Sequence, residues 1–125
     1  MFTLKDCAAA PLLFEYRLLV VGAGFLADVT ASGRVLCVRE APDEFWMYGV
    51  QPGALAEWGR TEAEAHQAFH RGFHELLIDL ASEAPTSEAF EDAVRTFVAK
   101  VNQPNDDLWN QALADVRAGR ANTDG

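Results

Sequence analysis

The sequence predicts an α+β fold, an antiparallel sheet of about four strands followed by three helices, with the first helix packed on the sheet. Three observations carry this. Between Leu12 and Val50, short runs of β-forming residues alternate with turn residues. From Thr61 onward the apolar residues recur at three- and four-residue spacing, the period of a helix face. Two prolines, Pro85 and Pro104, then divide the remaining chain into two further amphipathic segments.

In chain order, Met1 to Pro11 has no periodic pattern and reads as a surface segment or a short leader strand. Leu12 to Val21 is rich in β-formers and turns at Gly22-Ala23-Gly24. Phe25 to Thr30 sets Phe25, Ala27 and Val29 against Leu26, Asp28 and Thr30, which suits a half-buried strand paired with the first as a hairpin. Ser32-Gly33 reads as the next turn, Arg34 to Glu40 as a third strand and Phe45 to Val50 as a fourth, with Ala41-Pro42-Asp43-Glu44 between them. Pro52-Gly53 ends this meander over 12–50, and a connection through Leu55 and Trp58 leads to a core helix over 61–84. In that helix Thr61 accepts from the Glu64 amide while the Glu64 side chain reaches back to the Thr61 N–H. Ala65, Phe69, Phe73, Leu76, Leu77 and Leu80 form its apolar face. A C-terminal helical pair over 86–118 follows. Thr86 or Ser87 caps the first member, whose face is Phe90, Ala93, Val94, Phe97, Val98 and Val101. Asn105 caps the second, with Asp106 and Asp107 in its first turn and Leu108, Trp109, Ala112, Leu113 and Val116 as its stripe. Gly119 is the expected C-cap, and 120–125 the expected flexible tail.

The 125 residues suit one domain, and 50% hydrophobic composition is enough to fill a core. A net charge of −9 argues against direct binding to nucleic acid, which needs clustered Lys and Arg, and favours a neutral or basic partner. The two cysteines, Cys7 and Cys37, are too few and too far apart for a disulfide framework or a Cys-x-x-Cys knuckle, and read as small buried hydrophobes. No basic segment precedes an apolar run at the N-terminus, and no apolar stretch approaches the ~18 residues of a membrane span, so a cytoplasmic protein that does not engage the membrane is expected.

All three histidines, His66, His70 and His74, fall in a row on the core helix, where two imidazoles one turn apart could share zinc or nickel. At ~100° per residue the row lies at the margin of the apolar face, with His66 nearest the core and His74 furthest from it, which favours boundary histidines over ligands. The general base of a His-Glu-x-x-His site is missing, because Gln67, Ala68 and Phe69 follow His66. Glu57, Glu62, Glu64, Asp79 and Glu83 read as capping or solvated residues. No serine lies in a nucleophile elbow, and Gly22-Ala23-Gly24 lacks the third glycine of a nucleotide loop. No catalytic residue and no cofactor is therefore expected. Phe45, Trp46, Met47, Tyr48 and Trp58 are large anchors of the kind enriched in interface hot spots, and alternation sends Trp46, Tyr48 and Val50 to one face of their strand and Phe45 and Met47 to the other.

The stretch Val35 to Ala84 resembles the HicB-like antitoxin family. Val35 to Glu40 matches its first strand, Phe45 to Val50 the second, Pro52-Gly53 the turn, and Gly59, Thr61, Glu64 and Ala65 its Gly-x-Thr-x-x-Glu-Ala helix start. The resemblance implies a reduced ribonuclease H-type fold and a domain that occludes a small basic RNA-cleaving toxin, an opposite-charge pairing that the acidity of this chain suits. An additional hairpin precedes the matching stretch, and two acidic helices follow where many members carry a DNA-binding module. Arg95, Lys100, Arg117 and Arg120 make no basic stripe, so no DNA-binding residue is carried over. The reading as a whole is a non-enzymatic protein-interaction domain acting as a homo-oligomer, with Trp46, Tyr48 and Trp58 as apolar anchors and Glu57 and Glu62 as acidic contacts. The alternatives are a small metal-dependent or hydrolytic enzyme built on the histidine row, or a structural assembly protein.

Overall fold

The computed structural model describes residues 9–118; Cys7, Gly119 and the tail lie outside the described residues. Strands β1 (Ala9–Gly22), β2 (Phe25–Ala41), β3 (Glu44–Gln51) and β4 (Ala56–Gly59) form one antiparallel sheet in the order β1-β2-β3-β4. Helices α1 (Glu62–Glu83), α2 (Ser87–Ala99) and α3 (Gln103–Arg117) follow. Among the described residues, no helix is long and apolar enough to cross a membrane.

The sheet divides differently from the expected meander. Ser32-Gly33 is no turn: β2 runs straight through it, so the expected second and third strands are one. Gly33 is there for close approach, since a Cβ would collide with the Gln51 carbonyl oxygen and lie 2.8 Å from the Phe14 ring. The fourth strand is instead β4, whose four residues pair Trp58 with Trp46 and Glu57 with Met47. Two register shifts flank the β2–β3 pairing, between Arg34 and Val35 and between Arg39 and Ala41.

Strand alternation builds a different core on each face. Toward one side Val35, Cys37 and Met47 meet Ala65 and Phe69 of α1, while Leu18, Val20 and Ala31 meet Phe73, Leu77 and Ala81 of α1 and Phe90 of α2. Phe14 ties the two clusters together with edge-on contacts to Phe69 and Phe73 at 5.6 and 5.8 Å. Toward the other side Leu36, Val50, Val38 and Tyr48 meet Trp109 and Ala112 of α3. The two C-terminal helices are thus not a packed pair, because the sheet lies between their apolar faces.

The segment Lys100–Asn102 carries the chain from one face to the other by hooking onto the end of β3. Gly53 N–H donates to Lys100 O at 3.0 Å, Asn102 N–H to Val50 O at 2.9 Å, and the Asn102 side-chain amide to Gly53 O at 3.2 Å. Asn102, not Asn105, caps α3 by accepting from the Asn105 N–H at 3.1 Å, and Pro104 fits the first turn, where its missing donor costs nothing. Asn105 instead donates its side-chain amide to Gly49 O at 2.8 Å. At α1 the Glu64 N–H donates to Thr61 Oγ1 at 3.1 Å, but the Glu64 carboxylate accepts from the Arg60 N–H, one residue before the expected donor. At α2 Thr86 accepts from the Ala89 N–H at 3.1 Å.

Candidate protein-binding face

Because β3 and β4 are antiparallel with Trp46 opposite Trp58, and because Tyr48 follows Trp46 by two residues, all three side chains leave the sheet on the α3 face. They stack as a ridge. Tyr48 and Trp46 have centroids 5.5 Å apart and planes 7° from parallel, and Trp46 and Trp58 are 6.4 Å apart at 26°. Helix α3 covers the inner end of this ridge through Trp109 and Ala112, and the outer end emerges, Trp58 being 49% exposed.

Carboxylates hold the polar atoms of Trp46 and Tyr48. Trp46 donates its indole N–H to Glu44 at 2.9 Å and Tyr48 its hydroxyl to Glu40 at 2.6 Å. Burial first, then the Glu40 hydrogen bond and the charges of Glu40 and Glu44, push the Tyr48 phenol up to about 12. Asp43, Glu44, Trp58 and Arg60 line a shallow hollow of about 340 Å³ beside the ridge. Behind it Arg34 fastens α3 to the sheet, donating to Asp106 at 2.7 Å and Gln51 at 3.2 Å and lying 4.9 Å over the Trp109 ring.

The expected site residues are therefore divided. Trp46, Tyr48 and Trp58 come together, whereas Glu57 and Glu62 lie on the α1 side of the sheet, Glu57 against Gly72 and Glu62 beside Cys37. The acidic groups beside the ridge are Glu40, Asp43 and Glu44, which the sequence reading passed over as turn and strand-end residues. The i+2 steps from Glu44 to Trp46 and Trp46 to Tyr48 were the available signal.

The histidine row does not converge either. His70 packs its ring edge-on against Tyr16 at 4.5 Å, and a ring nitrogen of His74 lies 3.3 Å from the Leu19 carbonyl oxygen. His74 is the most covered of the three and His66 is exposed, the reverse of the helical-wheel order, because the long β1–β2 hairpin extends under the second half of α1. His66 instead joins Glu62 and Cys37, with one donor atom from each lying within 4.8 Å of the others. Burial, followed by the Glu62 charge and hydrogen bond, pushes the Cys37 thiol up to about 11.

A groove of about 590 Å³ runs between residues 26–32 of β2 and the Phe90, Val94 and Val98 side of α2. Here β2 pairs with β1 alone, since its partnership with β3 begins only at Arg34. Dividing β2 at Ser32-Gly33 hid this half-edge from sequence reasoning.

Fold and site together define an acidic α+β domain with a stacked aromatic ridge. Comparison with known proteins gave no matching family model, no matching curated protein and no matching solved structure.

Proposed function

We propose that this chain is a non-enzymatic protein-binding domain whose ridge of Tyr48, Trp46 and Trp58 engages a small basic protein. The observation that carries the reading is the half-covered stack itself: rings held rigid by stacking and by carboxylate hydrogen bonds cost little further ordering on binding and bring large apolar area to a partner. Glu40, Asp43 and Glu44 add negative potential beside it, which favours a basic partner and speeds encounter. The narrower form, neutralisation of a small RNA-cleaving toxin by occlusion, rests on the sequence resemblance of Val35 to Ala84 to HicB-like antitoxins alone. The same reading keeps the expectation of a homo-oligomer; the bare outer face of the β1–β2 hairpin, with Leu19, Val21 and Leu26 exposed, is the surface assigned to self-association.

The test is co-purification of the tagged protein at native expression and moderate salt, with mass spectrometry of what stays bound and a sizing column to read the oligomer. The expected result is a small basic protein in near-stoichiometric amount. Trp58→Ala then weakens its binding about 10- to 30-fold, mainly through faster dissociation, and Glu44→Lys slows association. Charge reversal at Glu57, across the sheet, has the smaller effect. A protein that emerges alone, or a partner held equally well by Trp58→Ala, overturns the proposal.

A further inference from the structure

We propose that Cys37, Glu62 and His66 form a binding site for a divalent transition-metal ion of the zinc type, with a fourth position open to water or an external ligand. The proposal is independent of the ridge, which lies across the sheet. Strand β2 delivers Cys37 from below, and α1 delivers Glu62 and His66 from above, four residues apart and hence on one side of the helix. In a tetrahedral site with bonds of about 2.0–2.3 Å, donor atoms stand roughly 3.3–3.8 Å from one another. Cys37 Sγ and Glu62 Oε2 are already 3.9 Å apart, and all three donors lie within 4.8 Å. Closing the widest gap takes a side-chain movement of about 1 Å in a tetrahedral arrangement. Glu62 and His66 are exposed and free to make it.

The donor set selects the ion. Sulfur excludes the hard oxygen-seeking cations magnesium and calcium, while thiolate, imidazole and carboxylate together suit zinc and its spectroscopic substitute cobalt. Charge also balances, since one thiolate and one carboxylate neutralise a divalent ion at a partly buried position. Cys37 is the fixed point. It is 5% exposed and walled by Val35, Met47, Ala65 and Phe69, so the ion is reached from the Glu62–His66 side alone. On binding, the Cys37 S–H bond breaks, its electron pair passes to the metal and its proton leaves to solvent. The positive end of α1 opposes a cation there; Glu62 and Glu64, both in the first helical turn, offset it.

Cobalt(II) added to the full, metal-stripped chain is the probe, because a cobalt–thiolate bond gives a charge-transfer band in the near ultraviolet. The expected result is a saturable band at one cobalt per chain that is displaced by zinc, retained in Cys7→Ser and lost in Cys37→Ser. Glu62→Gln and His66→Ala each weaken cobalt binding about tenfold or more. Both replace exposed side chains, so the test stands even if Cys37→Ser fails to fold. No saturable band at millimolar cobalt, a band that persists in a folded Cys37→Ser protein, or unaltered affinity in either His66→Ala or Glu62→Gln overturns the site.

Discussion

At Gly33 the backbone of β2 passes so close to Gln51 and to the Phe14 ring that no side chain fits between them. Gly33→Ala therefore has to push apart β3 and the Phe14 cluster, and is expected to destabilise the fold by about 1–3 kcal/mol, read from the midpoint of urea unfolding. Tyr48 gives a second residue-scale prediction. Its phenol titrates near the ordinary 10.0 when unfolded and near 12 in the fold, so between those values the folded protein holds the extra proton. The contribution to stability is complete below pH 10 and is lost as pH rises toward 12. Tyr48→Phe should flatten this alkaline loss. Absorbance titration of a Tyr16→Phe protein should place the remaining phenol well above the usual range, and adding Glu40→Gln should lower it part of the way. A phenol titrating at its ordinary value would remove the ridge's hydrogen-bonded packing from consideration.

Among the elements, the hook at Lys100–Asn102 decides which face receives α3. Asn102 caps the helix and also binds Gly53, so Asn102→Ala should cost about 1–2 kcal/mol and expose Trp109, seen as a shift in its fluorescence. Elements whose signals are local were legible in the sequence. Thr61 with Glu64, and the stripe from Ala65 to Leu77, specify α1 without reference to the rest of the chain. Alternation placed Trp46, Tyr48 and Val50 on one face correctly, although it could not say that α3 would cover only part of it. Gly33 was misread because a glycine that opens a turn and one that admits a neighbouring backbone look alike in sequence. Strand β4 was hidden because four residues are too few to show a period. Cys37 and His66 were not associated because 28 intervening positions, spanning β3 and β4, separate them before the fold brings them together.

For the molecule as a whole, a charge of −9 makes any encounter with a basic partner sensitive to ionic strength. The association rate of the partner should fall steeply as salt rises from about 0.05 to 0.5 M while dissociation changes much less, measurable by stopped-flow on wild type and on Glu44→Lys. A rate indifferent to salt would leave the ridge's apolar contacts as the whole of the recognition. The sheet that presents this surface has two unlike halves. Between its register shifts β3 is shared by two cores, with Met47 serving one and Tyr48 the other, so losing or gaining one residue there would turn each side chain into the wrong layer. The β1–β2 pairing, by contrast, runs in unbroken register from Ala9 opposite Val38 to Gly22 opposite Phe25. Residues added or removed two at a time on both sides of its tip preserve every facing. The hairpin's reach can therefore drift between descendants of this chain while the length of β3 stays fixed.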